Sequence, residues 1–251
     1  MFQLGGHAIF FDMHEAPLAK GKESISDTAK TASAYVNIIV ARLFEHANIE
    51  ELARNAGAPV INGLTNFSHP CQILSDLLTI RERFGKLKGL KLAYFGDAND
   101  NIVHSLLYAC PKAGIDLVIC CPDKKEFRPL VSVVDFATRE ARHNATKIVI
   151  SSNAEITKGA DIIYTDTWMS YHIPKSEEKR RIAALKRFQV NSKIMKLAKK
   201  DAIFMHCLPA KRGQEVSTEI IDGKQSIVWK QAENRLHMEK AILIWLLKRY
   251  K

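Results

Sequence analysis

"KLKGLKLAYFGDANDN" (Lys86–Asn101) decides the fold. Its centre, Lys91–Phe95, is a short run of β-prone residues that stops at Gly96. Acid and amide residues then open an amphipathic stretch at Asn101. A continuous apolar strand that breaks on a glycine and turns into a helix is the repeating unit of a parallel sheet, whose strands are buried on both faces. Lys86–Leu90 in front of it is a basic, glycine-bearing connector, so a domain boundary is expected at 85/86.

The same rhythm extends in both directions. Strands are expected at His7–Phe11, Ile38–Ala41, Pro59–Asn62, Lys91–Phe95, Asp116–Cys121, Lys147–Ile150, Asp161–Thr165 and Ala202–Met205. Helices are expected at Ser26–Ala34, Ile49–Asn55, His69–Phe84, Asn101–Ala113, Val131–His143, Ser176–Phe188 and Asn191–Lys199. The alternation predicts an α/β fold: two domains with parallel sheets flanked by helices. The first domain spans 1–85 and the second 86–230. A C-terminal amphipathic helix in 231–251 returns to the first.

Composition bounds the function. Apolar residues make up 47% of the 251 and charged residues 25%, the balance of a globular chain with a real core. The net charge of +10 is spread over scattered cations with no arginine-rich tail, which argues against nucleic acid as the partner. The five cysteines contain no C-x-x-C pair, so neither a disulfide framework nor a structural zinc site is expected. Reduced thiols fit the cytoplasm. The start carries no signal-peptide pattern, and "AILIWLL" near the end is too short to cross a membrane.

In open α/β sheets, ligands sit beyond the carboxyl ends of strands. Arg42, "NGLTNFSHPCQ", "GDANDN", "DTWMSYH" and "HCLP" all follow strands. His69 and Gln72 lie one helical turn apart behind Pro70, suited either to gripping a polarised carbonyl or to capping a helix. "GDANDN" holds a single glycine, Gly96, where a dinucleotide loop needs three. Its amides either cap a helix or bind a carboxylate. Asp166 and Ser170 suit an ammonium group, and equally a plain turn. In "HCLP", successive strand residues point to opposite faces, which argues against His206 activating Cys207. No spaced ligand pair accompanies them to make a metal site. The Pro209 that ends the strand leaves carbonyls able to polarise a substrate amine, against the plain alternative of a buried cysteine.

Taken together, "ESISDTA", "INGLTNFSHPCQILSDLLTI", "GDANDN", "DTW-S", "FMHCLP" and "AENRLH" resemble the aspartate/ornithine carbamoyltransferase family, and "HCLP" with "DTW-S" resembles its ornithine branch. The resemblance runs from Met1 to the C-terminus. It implies transfer of a carbamoyl group from carbamoyl phosphate to the δ-amine of L-ornithine, giving citrulline and phosphate, with no metal and no cofactor. It also implies a homotrimer in which a loop around Lys20–Ser24 completes the neighbour's site.

By resemblance, Arg42, His69 and Arg235 hold the carbamoyl oxygen, with Arg42 also near phosphate. Gln72 holds the carbamoyl nitrogen. Asn101 binds the ornithine carboxylate, and Asp166 and Ser170 its α-ammonium. Cys207 and the Leu208 carbonyl meet the reacting amine and the carbamoyl amide, and His206 packs or orients.

The chain departs from the family pattern at Asp100, where the family has asparagine, and at Tyr171–His172, where it has Met-Gly in a loop closing over ornithine. The family's Ser-Thr-Arg-Thr phosphate motif does not occur, and "MFQLGGHA" resembles the end of the helix that motif begins. The first domain is therefore expected to be incomplete, and these 251 residues alone to form little citrulline. The alternatives are a carbamoyltransferase with another amine acceptor, or a non-catalytic relative that binds ligand or a full-length partner.

Overall fold

The computed structural model describes residues 1–11, 22–170 and 173–250. By packing, the chain divides into two units, Met1–Cys71 with Leu236–Lys251, and Gln72–Arg235.

The first unit holds α1 (Ile25–Tyr35), β1 (Ile39–Arg42), α2 (His46–Asn55) and β2 (Val60–Leu64). Ser24 caps α1 by accepting the Asp27 N–H at 3.0 Å. β1 and β2 pair in parallel, with Ile39 opposite Val60 and Arg42 opposite Leu64. The strand expected at His7–Phe11 does not form. Strands need a ladder partner, and among the described residues β1 pairs only with β2. Phe10 is instead 90% exposed.

Helix α3 (Pro70–Phe84) begins as the first unit ends, with proline at its first position, where no intrahelical donor is needed. Gly85, at φ +72°, closes it. The second unit continues with β3 (Lys91–Phe95), α4 (Asn101–Ala109), β4 (Asp116–Cys120), α5 (Val131–His143), β5 (Ile148–Ser151), β6 (Ile162–Thr165), α6 (Glu178–Leu185), α7 (Ser192–Met195), β7 (Ile203–His206), α8 (Thr218–Ile221) and α9 (Val228–Arg249). Helix α4 stops before the expected Ala113, because Pro111 cannot donate the next helical hydrogen bond. Helix α7 stops well before Lys199, whose N–H turns back to the Ala160 carbonyl at 3.0 Å.

All five strands of the second sheet run parallel, in the order β5-β4-β3-β6-β7. The chain winds outward from β3 to one side and then returns to the other through β6. The point of reversal therefore lies between β3 and β6, where a doubly wound sheet opens its ligand crevice. Strands β3, β4, β6 and β7 are buried almost throughout, as their continuous apolar patterns require. Phe95, Val118, Ile163, Phe204 and Val228 belong to one core cluster.

Candidate active site

Gly96 and Asp166 follow β3 and β6, the two strands that flank the reversal. Around them the second unit gathers most of the predicted side chains. Asp100, nearly fully buried, caps α4: its Oδ1 accepts the Ile102 N–H at 2.8 Å. Its Oδ2 accepts the Ser170 hydroxyl at 3.1 Å. Asn101 is the first residue of α4 and is buried. Cys207, just past β7, donates its thiol to Asp166 Oδ1 at 2.9 Å.

Three carboxylates thus converge near the reversal. Burial pushes the Asp97 carboxyl up to about 6 against the pull of Arg181. Burial, then the neighbouring Asp166 and Asp97, push Asp100 well above the carboxylate range. Burial and then Asp166 push the Cys207 thiol well above the thiol range, so Cys207 stays neutral. A buried cluster of carboxyl groups of this kind favours a cation as its occupant, which would draw the raised groups toward their ionised forms.

His206 does not activate Cys207. Its Nδ1 accepts the Leu208 N–H at 2.9 Å, which places the ring proton on Nε2. Nε2 faces Glu215 Oε1 at 3.4 Å, with both side chains wholly buried. The Leu208 backbone sits at φ +57°, outside the comfortable range for a branched side chain, and the His206 ring helps to hold it there. Among the described residues, ligating atoms of Asp166, His206 and Cys207 lie within 4.8 Å of one another. Spacing alone could not reveal that trio, because Asp166 arrives from another strand. Within the trio Cys207 donates to Asp166, while the lone pair on His206 Nδ1 is engaged by Leu208 and so is not open to a metal.

Gln72 lies in the first turn of α3 and accepts Arg235 Nη1 on its Oε1 at 2.7 Å. Both residues belong to the second unit. Arg42 and His69 belong to the first, at the carboxyl ends of the paired β1 and β2. Arg42 is exposed at the end of β1 and lines an apolar cavity of about 430 Å³ with Ile38–Leu43 and Leu52. His69 is buried, immediately ahead of α3. Tyr171 and His172 lie outside the described residues, as does the start of the Lys20–Ser24 loop.

Sequence reasoning missed the supports of this site. Arg181 donates Nε to the Trp168 carbonyl at 2.9 Å, donates Nη2 to Asp97 Oδ2, and lies over the Phe127 ring. It thereby ties the Asp166–Ser170 loop to the Gly96–Asp100 turn. Asp76, Tyr164 and Gln231 form a buried polar group beside Gln72. One signal was available: Gln72 and Asp76, like Gln231 and Arg235, stand four residues apart on one helix face.

No helix among the described residues is long and apolar enough to cross a membrane. Residues 1–82 match the carbamoyl-phosphate-binding domain of aspartate/ornithine carbamoyltransferases, and residues 88–246 match their Asp/Orn-binding domain. An ornithine carbamoyltransferase of Cenarchaeum symbiosum is 51% identical over 98% of this chain and 78% of its own length. That of Bacillus subtilis is 47% identical over 97% of this chain and 75% of its own length. The solved structure of ornithine carbamoyltransferase from Pyrococcus furiosus superposes with a TM-score of 0.92 at 43% identity, covering 99% of this chain and 78% of that one.

Proposed function

The chain belongs to the aspartate/ornithine carbamoyltransferase family, and from that we propose that it transfers the carbamoyl group of carbamoyl phosphate to the δ-amine of ornithine, releasing citrulline and phosphate. The observation that carries this reading is the acid cluster beyond β3 and β6: Asp166 against Cys207, and Asp100 against Ser170. Such a cluster suits an amino acid with a cationic group and opposes a second carboxylate, which separates ornithine from aspartate as acceptor.

The chemistry follows from the residues. The acceptor's α-ammonium lies against Asp166 and Ser170, and its carboxylate against Asn101 at the start of α4, where backbone N–H groups favour an anion. Its δ-amine must be neutral to attack, although an alkyl ammonium in water loses its proton only near ~10.4. The neutral Cys207 thiol and the Leu208 carbonyl are the groups that receive that amine. Neither adds charge, so the amine enters as a nucleophile rather than as half of an ion pair. Attack places negative charge on the carbamoyl oxygen. By the family resemblance, Arg235, Arg42 and His69 are the groups that stabilise that oxygen. The Gln72 amide orients the carbamoyl nitrogen. The C–O bond to phosphate then breaks, its electron pair leaves with phosphate, and the proton shed by the amine goes to the departing phosphate.

The resemblance further supports a cytoplasmic homotrimer, and light scattering on the purified chain reads the trimer directly. The test of function is citrulline formation from carbamoyl phosphate with ornithine, lysine or aspartate as acceptor. Ornithine is expected to be the preferred acceptor, with Arg235→Ala lowering turnover ~10²-fold or more. A preference for aspartate or lysine would overturn the acceptor assignment. Calorimetric titration with ornithine in the presence of carbamoyl phosphate reads binding separately from turnover.

A further inference from the structure

Asp76 has no role in the chemistry above, yet three buried side chains donate to it. It lies one helical turn beyond Gln72 on α3 and is 1% exposed. Its Oδ1 accepts Gln72 Nε2 and Gln231 Nε2, each at 2.8 Å. Its Oδ2 accepts the Tyr164 hydroxyl at 2.9 Å. The far ends of the two glutamines lead into the site. Gln72 Oε1 accepts Arg235 Nη1 at 2.7 Å, and Gln231 Oε1 accepts the backbone N–H of His206 at 3.0 Å.

A side-chain amide has a donor end and an acceptor end, and either can face a given neighbour. An ionised carboxylate only accepts, so it dictates which end it meets. With both glutamine NH₂ groups committed to Asp76, both oxygens point the other way, one to Arg235 and one to the strand that carries Cys207.

We propose that Asp76 is a positioning residue for carbamoyl transfer, setting the amide orientation of Gln72 and Gln231 and thereby holding the Arg235 guanidinium and the β7 strand end in register. The residues it joins, Gln72, Tyr164, His206, Gln231 and Arg235, all lie in the second unit. Burial pushes its carboxyl up to about 6 despite three donors. A group kept ionised at such cost fits a role in orientation better than one in packing.

The proposal rests on Gln72 and Arg235 serving the transfer, so its test has one readout tied to turnover and one that is not. Asp76→Ala frees both amides to flip. It is expected to lower kcat ~10–100-fold with a smaller change in the KM for ornithine, the scale on which misplacement of reacting groups costs rate. Hydrogen exchange at 203–210 is expected to quicken, because the His206 N–H loses a fixed acceptor. Asp76→Asn keeps an oxygen for both glutamines and turns its NH₂ to the Tyr164 oxygen. It is expected to stay within ~10-fold of the parent in kcat, with exchange little changed.

Folded Asp76→Ala with parental kcat and parental exchange overturns the proposal. If Asp76→Ala does not fold, Gln231→Leu takes its place, since it removes both the donor to Asp76 and the acceptor for His206. If citrulline formation by these 251 residues, expected to be low, is too small to compare variants, turnover drops out of the test. Exchange at 203–210 in the same variants then decides the orienting role alone, with unchanged exchange counting against it.

Discussion

The thiol of Cys207 donates to Asp166 Oδ1 across 2.9 Å, linking the chain just past β7 to the residue that follows β6. The carboxylate therefore holds the sulfur as a thiol: burial first, and Asp166 second, push it well above the usual thiol range. Thiolates, not thiols, alkylate quickly. Cys207 is expected to react with iodoacetamide at neutral pH at least ~10-fold more slowly than free cysteine, and Asp166→Asn to react faster than the parent. Peptide mapping separates it from Cys110, Cys120 and Cys121, which are buried. Parental alkylation faster than free cysteine would show a thiolate and rule out the neutral role given to the sulfur.

Asp100 carries the family departure that was legible in the sequence, and the structure gives it two jobs, capping α4 and receiving Ser170. Its carboxyl is raised by burial, then by Asp166 and Asp97. A carboxyl raised by folding contributes its stability in full below the unfolded value near ~3.9, and that contribution is lost as pH rises through the folded value. Asn caps a helix as well as Asp. Asp100→Asn is therefore expected to melt higher than the parent at roughly pH 8, with the gap narrowing toward about pH 5. A gap that widened in acid would reverse the sign and refute the account.

Arg181 and Asp97 form a buried ion pair that also satisfies the Trp168 carbonyl. Removing one member of such a pair strands a charge, at a cost of ~3–5 kcal/mol. Urea unfolding of Arg181→Ala is expected to show a loss of that order at neutral pH. The loss should shrink in acid, because Asp97, held at about 6 even beside Arg181, moves higher without it and takes a proton. Arg181→Ala with parental stability at neutral pH would contradict the pair's structural role.

The parallel sheet was readable because its strands are buried on both faces, and continuous runs such as Leu92–Phe95 and Ile162–Thr165 announce that directly. His7–Phe11 carries the same apolar composition, yet composition cannot supply a ladder partner. The candidate site groups Asp100, Asp166, Ser170 and Cys207 were readable as short polar clusters after strands, and the fold brings them together. Their supports were not readable. Asp76 reads as one more acid in a helix, and only the fold brings Gln231, 155 residues away, to its oxygen. Arg181 sits in a run of cations that a sequence reads as a solvated face, but its guanidinium is buried over Phe127. Long-range pairing of polar groups leaves no periodic trace in the chain, whereas apolar faces do.

Gly96 is the turn residue between β3 and the acid cluster, and its φ of +127° lies where side chains are rarely tolerated. A Cβ there would meet Trp168 Nε1 at 3.4 Å and Thr165 Oγ1 at 3.6 Å. Trp168 is 1% exposed and packs with Phe127 and Leu185, so the indole has little room to yield. Strain at the glycine and pressure on the indole act on the same loop, the one that carries Asp166 and Ser170. Gly96→Ala is expected to cost ~1–3 kcal/mol in unfolding experiments. It should also raise the KM for ornithine more than that for carbamoyl phosphate, because the displaced loop carries Asp166 and Ser170, to which the proposed function assigns the acceptor's ammonium. Equal changes in both KM values, with the stability loss present, would mean that the substitution loosens the domain as a whole and that the indole does not transmit it to the acid cluster.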